Sequence, residues 1–258
     1  MARSAIGPLR YRAPVKLSVV IPALDEAEHI EAAVLSALPE AATSVAHGTP
    51  TRAGVPDPGA EVDLEVWVVD GGSADSTRER AARAGARVIE SPPGRATQLE
   101  RGARASAGEV LLFLHADTRL PRGWARSVER ALRDERVVGG AFGFGFDEQS
   151  PALRFIEFGA RLRNRLFALP YGDQALFVRR RVLEALGGVP QTPILEDLEL
   201  VVALKRRGRL ALLPERVRTS ARRYRAGGPL RTMFLHWGLG ALWALGVPSQ
   251  RIASWARR

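Results

Sequence analysis

Acidic residues stand at the ends of three apolar segments, where their carboxylates could bind a metal ion and a phosphorylated ligand. The segment EVLLFLHAD ends at Asp117, VVIPALDE ends at Asp25 and Glu26, and VWVVD ends at Asp70. Open α/β sheets bind their ligands outside the carboxyl ends of their strands. A carboxylate there can hold a hard divalent cation, which neutralises a diphosphate. The three ends together predict a metal-assisted nucleotide site.

The segment that ends at Asp70 continues into two glycines, Gly71 and Gly72. Glycines let a flat ring lie against the backbone, and the carboxylate could accept a hydrogen bond from a nucleobase N–H. The alternative is that Asp70 only shapes a turn before the next helix. Asp75 or Ser76 could also supply that capping role, which favours the base contact.

Within LHADT, Asp117 is the candidate metal ligand, and His115 stands two residues before it. The imidazole could ligate the same cation, or it could point into the sheet as most isolated histidines do. Asp117 could alternatively form a turn before Thr118. Arg95 and Gln98 begin a helical pattern after Pro-Pro-Gly, where a helix N-terminus and an arginine suit a phosphate. The alternative there is a solvent-facing helix start.

Three further carboxylates in the second half of the chain could act on an acceptor. Glu196 and Asp197 begin an amphipathic helix, and one of them could deprotonate an acceptor hydroxyl as a general base. Acidic residues are also common at helix starts because they interact favourably with the helix dipole. Asp173, in YGDQALF, precedes a short strand and could bind acceptor hydroxyls.

The elements that must position these residues alternate between strand and helix. From Leu17 to His115 the pattern is β-α-β-α-β-α-β, with nearly continuous apolar strands, which predicts a mostly parallel sheet with helices on both faces. Ile30, Val34 and Leu38 mark the first helix, with Asp25 as its expected cap. Beyond that region, strands are predicted over 136–146 and 175–180, and helices over 152–166, from near 196 and from 229.

We expect three regions along the chain: a flexible arm over 1–15, a main domain over 16–228 and a C-terminal helical segment over 229–258. A mobile insertion over 39–63 interrupts the main domain, because that stretch is rich in Pro, Gly and Thr and has no period. The apolar part of the C-terminal segment has about fifteen residues, too few for a comfortable membrane span. It could pack on the core, form a homodimer or make peripheral contact with a membrane.

The 258 residues carry a formal net charge of +10, and Lys16 and Lys205 are the only lysines among 38 basic residues. The arginines are scattered, which favours compositional bias over one phosphate-rich partner, and no aromatic-basic pattern indicates nucleic-acid binding. There is no cysteine, which excludes disulfides and is typical of a reducing compartment. The N-terminus has no signal-peptide pattern, so the expected location is cytoplasmic, with or without membrane-peripheral contact.

The motifs VVIPALDE, VVDGGSADST, GRATQLERGA, LHADT, GDQALFVRR and ILEDLEL occur in this order. Their combination resembles the family 2 glycosyltransferases, which have the GT-A (nucleotide-diphospho-sugar transferase) fold of the α/β class. The resemblance extends from about Leu17 to about Leu245 and is strongest to a small soluble bacterial subgroup with GRAxQ and HAD-type motifs. Each motif alone is common, whereas the combination is specific.

The resemblance implies a role for each candidate. Asp117 corresponds to the second acid of a DXD-type motif that binds Mn²⁺ or Mg²⁺, with His115 in place of the first acid. Asp197, beside Glu196, corresponds to the catalytic base of inverting members. Asp70 corresponds to the residue that reads the base. Substrate binding is expected at Pro22, Ala23, Asp25, Glu26, Asp70, Gly71, Arg95, Gln98, Ala116, Gly172 and Asp173.

The implied function is metal-dependent, inverting transfer of one hexosyl group from a UDP- or GDP-sugar to an acceptor hydroxyl. The QxxRW signature of processive synthases is absent, and SARRYRAGG occupies the comparable region, where Arg222, Arg223 or Tyr224 could contact phosphates. A scaffold or nucleotide-binding protein that has lost catalysis is the alternative, because of His115. IPALDEAEH contains no glycine, which argues against a nucleotidyltransferase or a dinucleotide-binding dehydrogenase.

Overall fold

A seven-stranded sheet runs through the part of the chain that the computed structural model describes, residues 15–39 and 63–256. Its spatial order is β3-β2-β1-β4-β7-β6-β8, and only β7 runs antiparallel to its neighbours. A separate ribbon pairs β5 with β9. The strands are β1 (Leu17–Ala23), β2 (Leu64–Asp70), β3 (Arg87–Glu90), β4 (Val110–Phe113), β5 (Thr118–Arg119), β6 (Val137–Gly143), β7 (Leu176–Arg179), β8 (Arg209–Arg216) and β9 (Arg218–Thr219).

Helices cover both faces of this sheet, as the sequence predicts for a buried, mostly parallel sheet. On one face α1, α2 and α4 pack against Val19 and Ile21, and on the other α3, α6 and α7 pack against Val20. The helices are α1 (Ile30–Ala37), α2 (Thr77–Arg83), α3 (Arg95–Ala105), α4 (Trp124–Ala131), α5 (Pro151–Phe167), α6 (Arg180–Ala185), α7 (Glu196–Lys205), α8 (Arg222–Gly227), α9 (Pro229–Ala244) and α10 (Ser249–Ala256).

The expectation that Asp25 caps the first helix is wrong. The helix begins at Ile30, and Asp25 lies five residues earlier in the left-handed region, with φ of 52°. Its Oδ1 accepts a hydrogen bond from the backbone N–H of Ala74, 2.8 Å away, which lies in the loop after β2. Asp25 therefore joins two neighbouring strand ends, a long-range contact that helix periodicity does not indicate.

The sequence interpretation missed β8 and α4. β8 lies at the edge of the sheet with its side chains partly exposed, and it contains Pro214. Proline in a strand is confined to edges, and a half-exposed edge lacks a continuous apolar run. The predicted arm and insertion lie outside the described residues, except for residues 15, 39 and 63. The C-terminal segment forms two helices, α9 and α10.

Candidate active site

The loops after β1 and β2 are held together where the parallel strands end. Gly71 donates its backbone N–H to the Ala23 carbonyl at 2.8 Å, and the Asp25 N–H donates to the Ser73 hydroxyl at 2.9 Å. The Glu26 N–H donates to the Thr77 hydroxyl at 2.8 Å. Pro22 and Ala23 are in register with the last two residues of β2. This places the predicted nucleotide loop beside the predicted base-reading loop.

Asp70 is fully buried at the end of β2, with its carboxylate turned into its own loop. Oδ2 accepts hydrogen bonds from the backbone N–H groups of Gly72 and Ser73, both at 3.0 Å. The Ser73 hydroxyl donates to Oδ1. Asp70 therefore shapes the turn, which is the alternative that the sequence left open, while its contact with a base stays a prediction.

Gln98 supports this loop from below. Its side-chain amide nitrogen donates to the carbonyls of Ala23 and Val69, both at 2.8 Å, and so links the ends of β1 and β2. A Cβ at position 71 would lie 3.1 Å from the Gln98 amide nitrogen, so Gly71 leaves room for this arrangement. The sequence predicts that Gln98 contacts the ligand. In the structure its side chain positions the loop, through its hydrogen bonds to Ala23 and Val69.

The acidic pair, Glu26 and Asp117, converges on one guanidinium nitrogen of Arg222. Arg222 Nη2 forms an ion pair with Glu26 and lies 3.4 Å from Asp117 Oδ2. The segment that carries Arg222 is tied to this place by the Ser220 N–H, which donates to the Asp117 carbonyl at 3.0 Å. Burial alone lowers the pKa of Arg222, but its bonds to Glu26 and Asp117 outweigh burial and raise it.

The acidic pair has the chemistry to hold a divalent cation. Glu26 Oε2 is buried and has no hydrogen-bond partner among the described residues. Among residues 15–39 and 63–256 no cluster of three His, Cys, Asp or Glu side chains has metal-ligand geometry. A cation bound here would therefore take its remaining ligands from water or from a diphosphate, as Mg²⁺ commonly does. Ala116, between the two motif positions, is buried.

A second cluster, which we call the Arg95 cluster, contains Arg95, His115, Glu196 and Asp197. Arg95 Nε bonds Glu196, Nη1 lies 3.2 Å from His115 Nε2, and Nη2 lies 3.9 Å from Asp197 Oδ1. Burial, then the positive charges of Arg95 and Arg223, hold the pKa of His115 well below its ordinary value. The Nε2 atom of His115 therefore faces a cation, Arg95, and not a carboxylate. Its role as a metal ligand stays a prediction.

The structure brings the predicted base and the predicted acceptor motif into direct contact. The Gly172 N–H donates to Asp197 Oδ2 at 2.6 Å, and the Leu198 N–H donates to Oδ1 at 2.9 Å. A Cβ at position 172 would lie 3.0 Å from Asp197 Oδ2, so glycine permits this approach. Leu195, just before the helix, has a φ of 62°, a strained conformation of the kind that clusters at functional sites.

Asp197 lines a cavity of about 350 Å³ between the carboxyl end of β4 and the C-terminal helices. The sequence did not single out Tyr171 or His236 as site residues, yet both line this cavity. Tyr171 directly precedes the Gly172-Asp173 motif, which was an available signal. His236 lies in an apolar helix, and nothing local connects that helix to the site. Arg223 and Tyr224 also line the cavity, as does Asp117.

Asp173 lines the cavity, and one of its carboxylate oxygens, Oδ1, is buried and accepts no hydrogen bond from the described residues. Burial raises its pKa to about 6, reinforced by the charge of Asp197 and opposed by Arg163. The pKa of Asp173 in the folded protein is higher than its ordinary value of 3.8, so its contribution to stability is fully present below pH 3.8. This contribution is lost as the pH rises through about 6.

The variant Asp173→Asn cannot ionise at this position. At pH 8 its free energy of unfolding is expected to exceed that of the unmodified chain by about 2 to 3 kcal/mol. At pH 4 the two proteins are expected to have nearly equal stability. Urea unfolding at a series of pH values measures the difference. The exposed Glu184→Gln is a control that should leave the pH dependence unchanged. A difference that does not vary with pH would show that the pKa of Asp173 is not raised.

The fold, with its cleft at the strand ends, is the GT-A fold of glycosyltransferases of known structure. A mycobacterial protein of known structure is 25% identical, with a TM-score of 0.50 over 80% of this chain, which spans 65% of that protein. Glucosyl-3-phosphoglycerate synthase from Mycobacterium tuberculosis is 22% identical over 91% of this chain and 81% of its own. Its complex with Mn²⁺, UDP and glucosyl-3-phosphoglycerate gives a TM-score of 0.55, and its complex with phosphoglyceric acid gives 0.57.

The chain belongs to glycosyl transferase family 2, whose sequence profile matches residues 18–187. No curated protein sequence matches the chain. The family resemblance and the fold class expected from the sequence are therefore confirmed. At 22% identity the likeness to the synthase shows a shared fold, and the substrates of that enzyme belong to that enzyme.

Proposed function

We propose that the protein transfers one sugar from a nucleoside-diphosphate donor to an acceptor hydroxyl, with a divalent cation and with inversion at the anomeric carbon. The observation that carries this proposal is the arrangement of carboxylates around one cleft. The acidic pair lies at one side, and Asp197 lies in the adjoining cavity beside Gly172 and Asp173. Structures of the synthase with UDP and Mn²⁺ or Mg²⁺ support a UDP donor and either cation as the cofactor.

The residues around the acidic pair would hold the donor and receive its leaving group. Glu26 and Asp117 would bind Mn²⁺ or Mg²⁺, which neutralises the charge that develops on a departing diphosphate. Arg222 pairs with both carboxylates in this structure. Once a cation binds the carboxylates in its place, the guanidinium would be available to the diphosphate oxygens. The loops after β1 and β2, fixed by Gln98, would hold the nucleoside.

Asp197 would take the proton from the acceptor hydroxyl as that oxygen attacks the anomeric carbon. Attack from the face opposite the departing diphosphate gives inversion. Two backbone N–H groups fix the carboxylate, and the charge of Arg95 lies 3.9 Å from it. Asp173, which also lines the cavity and has one oxygen without a partner in the described residues, would accept hydrogen bonds from other acceptor hydroxyls.

Calorimetric titration with UDP, GDP and their sugar conjugates, with and without Mn²⁺, tests this function. We expect one nucleotide to bind in a metal-dependent manner. Absence of binding by a folded sample would overturn the proposal and favour a scaffold that has lost catalysis. That second candidate is supported by the contacts of Arg95 with Glu196 and His115, because these side chains bind one another and not a ligand. Binding of nucleotide without release of diphosphate from any sugar donor would instead indicate a nucleotide-binding protein without catalysis.

Asp117→Ala is expected to weaken nucleotide binding in the presence of Mn²⁺ by at least about tenfold, as loss of a metal-supporting contact does. In the absence of metal the variant should bind nucleotide as weakly as the unmodified protein. Glu135→Ala, which removes an exposed carboxylate in the turn after α4, is the control. Equal metal dependence in the Asp117 variant would remove this residue from the cation site.

The location and the remaining partners are also proposals. A cytoplasmic location, with or without membrane-peripheral contact, agrees with the need for nucleotide-sugar donors, and we propose no nucleic-acid partner. A homodimer through the C-terminal segment is the alternative to membrane contact. The acceptor would be a hydroxyl compound small enough at its reacting end for a cavity of about 350 Å³.

A further inference from the structure

Two neighbouring helices, α5 and α9, present apolar side chains to solvent along one stripe each. On α5 the stripe has the spacing of one helical face and contains Phe155, Phe158, Leu162 and Leu166. On α9 it contains Leu230, Phe234 and Trp237, and Leu245 at the C-cap continues it, with exposed fractions of 61% for Phe234 and 82% for Leu245. We call these eight side chains the apolar face. Exposed apolar areas of this extent mark interaction sites.

The apolar face belongs to helices that are firmly packed on their other sides. Leu153, Ile156 and Ala160 of α5 and Met233 of α9 are buried together in one cluster. The two helices contact each other where the Trp237 ring lies over Gly159, and a Cβ at position 159 would lie 2.9 Å from that ring. The exposed stripes are therefore the outer surfaces of two helices whose inner surfaces are already buried in the protein.

The charge around the apolar face has one sign. Arg154, Arg161 and Arg165 lie exposed beside the stripe on α5, and Arg231 and Arg251 lie exposed on α9 and α10. Within the described residues no carboxylate forms an ion pair with any of these arginines. Glu157, the sole acidic residue of α5, is buried. It accepts a hydrogen bond from the Phe146 N–H and forms an ion pair with Arg216. Helices α9 and α10 contain no acidic residue.

We propose that the apolar face docks on the surface of an anionic phospholipid bilayer, with its aromatic side chains among the headgroups and the arginines on lipid phosphates. An apolar stripe of Phe, Leu and Trp beside arginines is the composition of interfacial helices. No helix of the described part has the length and hydropathy to cross a bilayer. A second copy of the chain fits less well, because two such faces would bring their arginines together.

Flotation with phosphatidylcholine vesicles, with and without phosphatidylglycerol, tests this proposal on the full chain without donor or acceptor. We expect binding to vesicles that contain phosphatidylglycerol, reduced by salt, and little binding to phosphatidylcholine alone. Phe158→Gln with Phe234→Gln, and separately Arg161→Gln with Arg165→Gln, should each reduce the bound fraction at least about tenfold, since both terms contribute to such binding. Arg206→Gln with Arg207→Gln, exposed arginines beyond α7, is the matched control.

No binding to either vesicle, or equal binding by all variants, would overturn the proposal. A dimer in light scattering that Phe158→Gln with Phe234→Gln dissociates would also overturn it, by showing that a second copy covers the face. Circular dichroism and nucleotide titration of each variant show whether the fold and the cleft are intact. Vesicle binding does not require sugar transfer, so failure of the proposed function would leave this result interpretable.

Discussion

The Asp197→Asn variant is expected to lose sugar transfer by about 10²- to 10⁴-fold, the usual contribution of a general base. Nucleotide affinity should stay within about twofold, because the residue lies in the cavity beside Gly172 and not in the acidic pair. Asparagine has nearly the size of aspartate but only one acceptor oxygen, so it keeps one of the two hydrogen bonds that the Gly172 and Leu198 backbone N–H groups donate to separate carboxylate oxygens. The variant therefore removes the proton acceptor with almost no change in side-chain volume.

Release of nucleoside diphosphate from the donor, with acceptor present, measures kcat for this variant, and calorimetry measures its nucleotide affinity. Glu199→Gln changes a carboxylate two residues further along α7 and outside the cavity lining, and serves as the matched control. Retention of full activity by Asp197→Asn would exclude it as the base. If Asp197→Asn were fully active and Asp173→Asn were inactive, Asp173 would be the base. Its carboxylate has an oxygen without a hydrogen-bond partner in the described residues and a raised pKa.

The sequence predicted that the candidate carboxylates lie at one edge of the sheet, because strand ends obey a general rule of α/β sheets. Asp25, Glu26, Asp70 and Asp117 all lie at the carboxyl edge of adjacent parallel strands, as the alternating pattern required. The strand-end rule does not reach Gly172 or Asp197, and the family resemblance gave each a separate role without predicting that they touch. Their contact spans 25 residues of chain, and local periodicity does not encode it.

The functions of individual side chains within the site were less predictable, because burial and distant partners decide them. Gln98 reads as a phosphate contact by its place at a helix start, yet it binds two strand carbonyls. Arg222 meets Glu26 across 196 residues of sequence, so only the folded chain reveals that an arginine neutralises the acidic pair. His236 reaches the cavity because α9 packs beside it, a consequence of tertiary packing alone.

Removal of the Arg95 side chain is expected to destabilise the protein by about 3 kcal/mol, because Glu196 would become a buried, unpaired charge. The Glu196 side chain is only 3% exposed, whereas that of Arg95 is 36% exposed, so the penalty falls mainly on the glutamate. Both partners line the cavity from helix starts, Arg95 at the first residue of α3 and Glu196 at the first residue of α7. The pair thus stabilises the element that carries Asp197.

A double-variant cycle separates this effect from simple loss of contact. In urea unfolding, Arg95→Met alone should lose about 3 kcal/mol, and Arg95→Met with Glu196→Leu should recover most of it, since apolar replacement of a buried pair is often neutral. Arg104→Met, which breaks the exposed Arg104–Glu100 pair on the same helix, should cost less than about 1 kcal/mol. If the double variant were as unstable as Arg95→Met, the instability would come from lost packing around Arg95 and not from an unpaired Glu196.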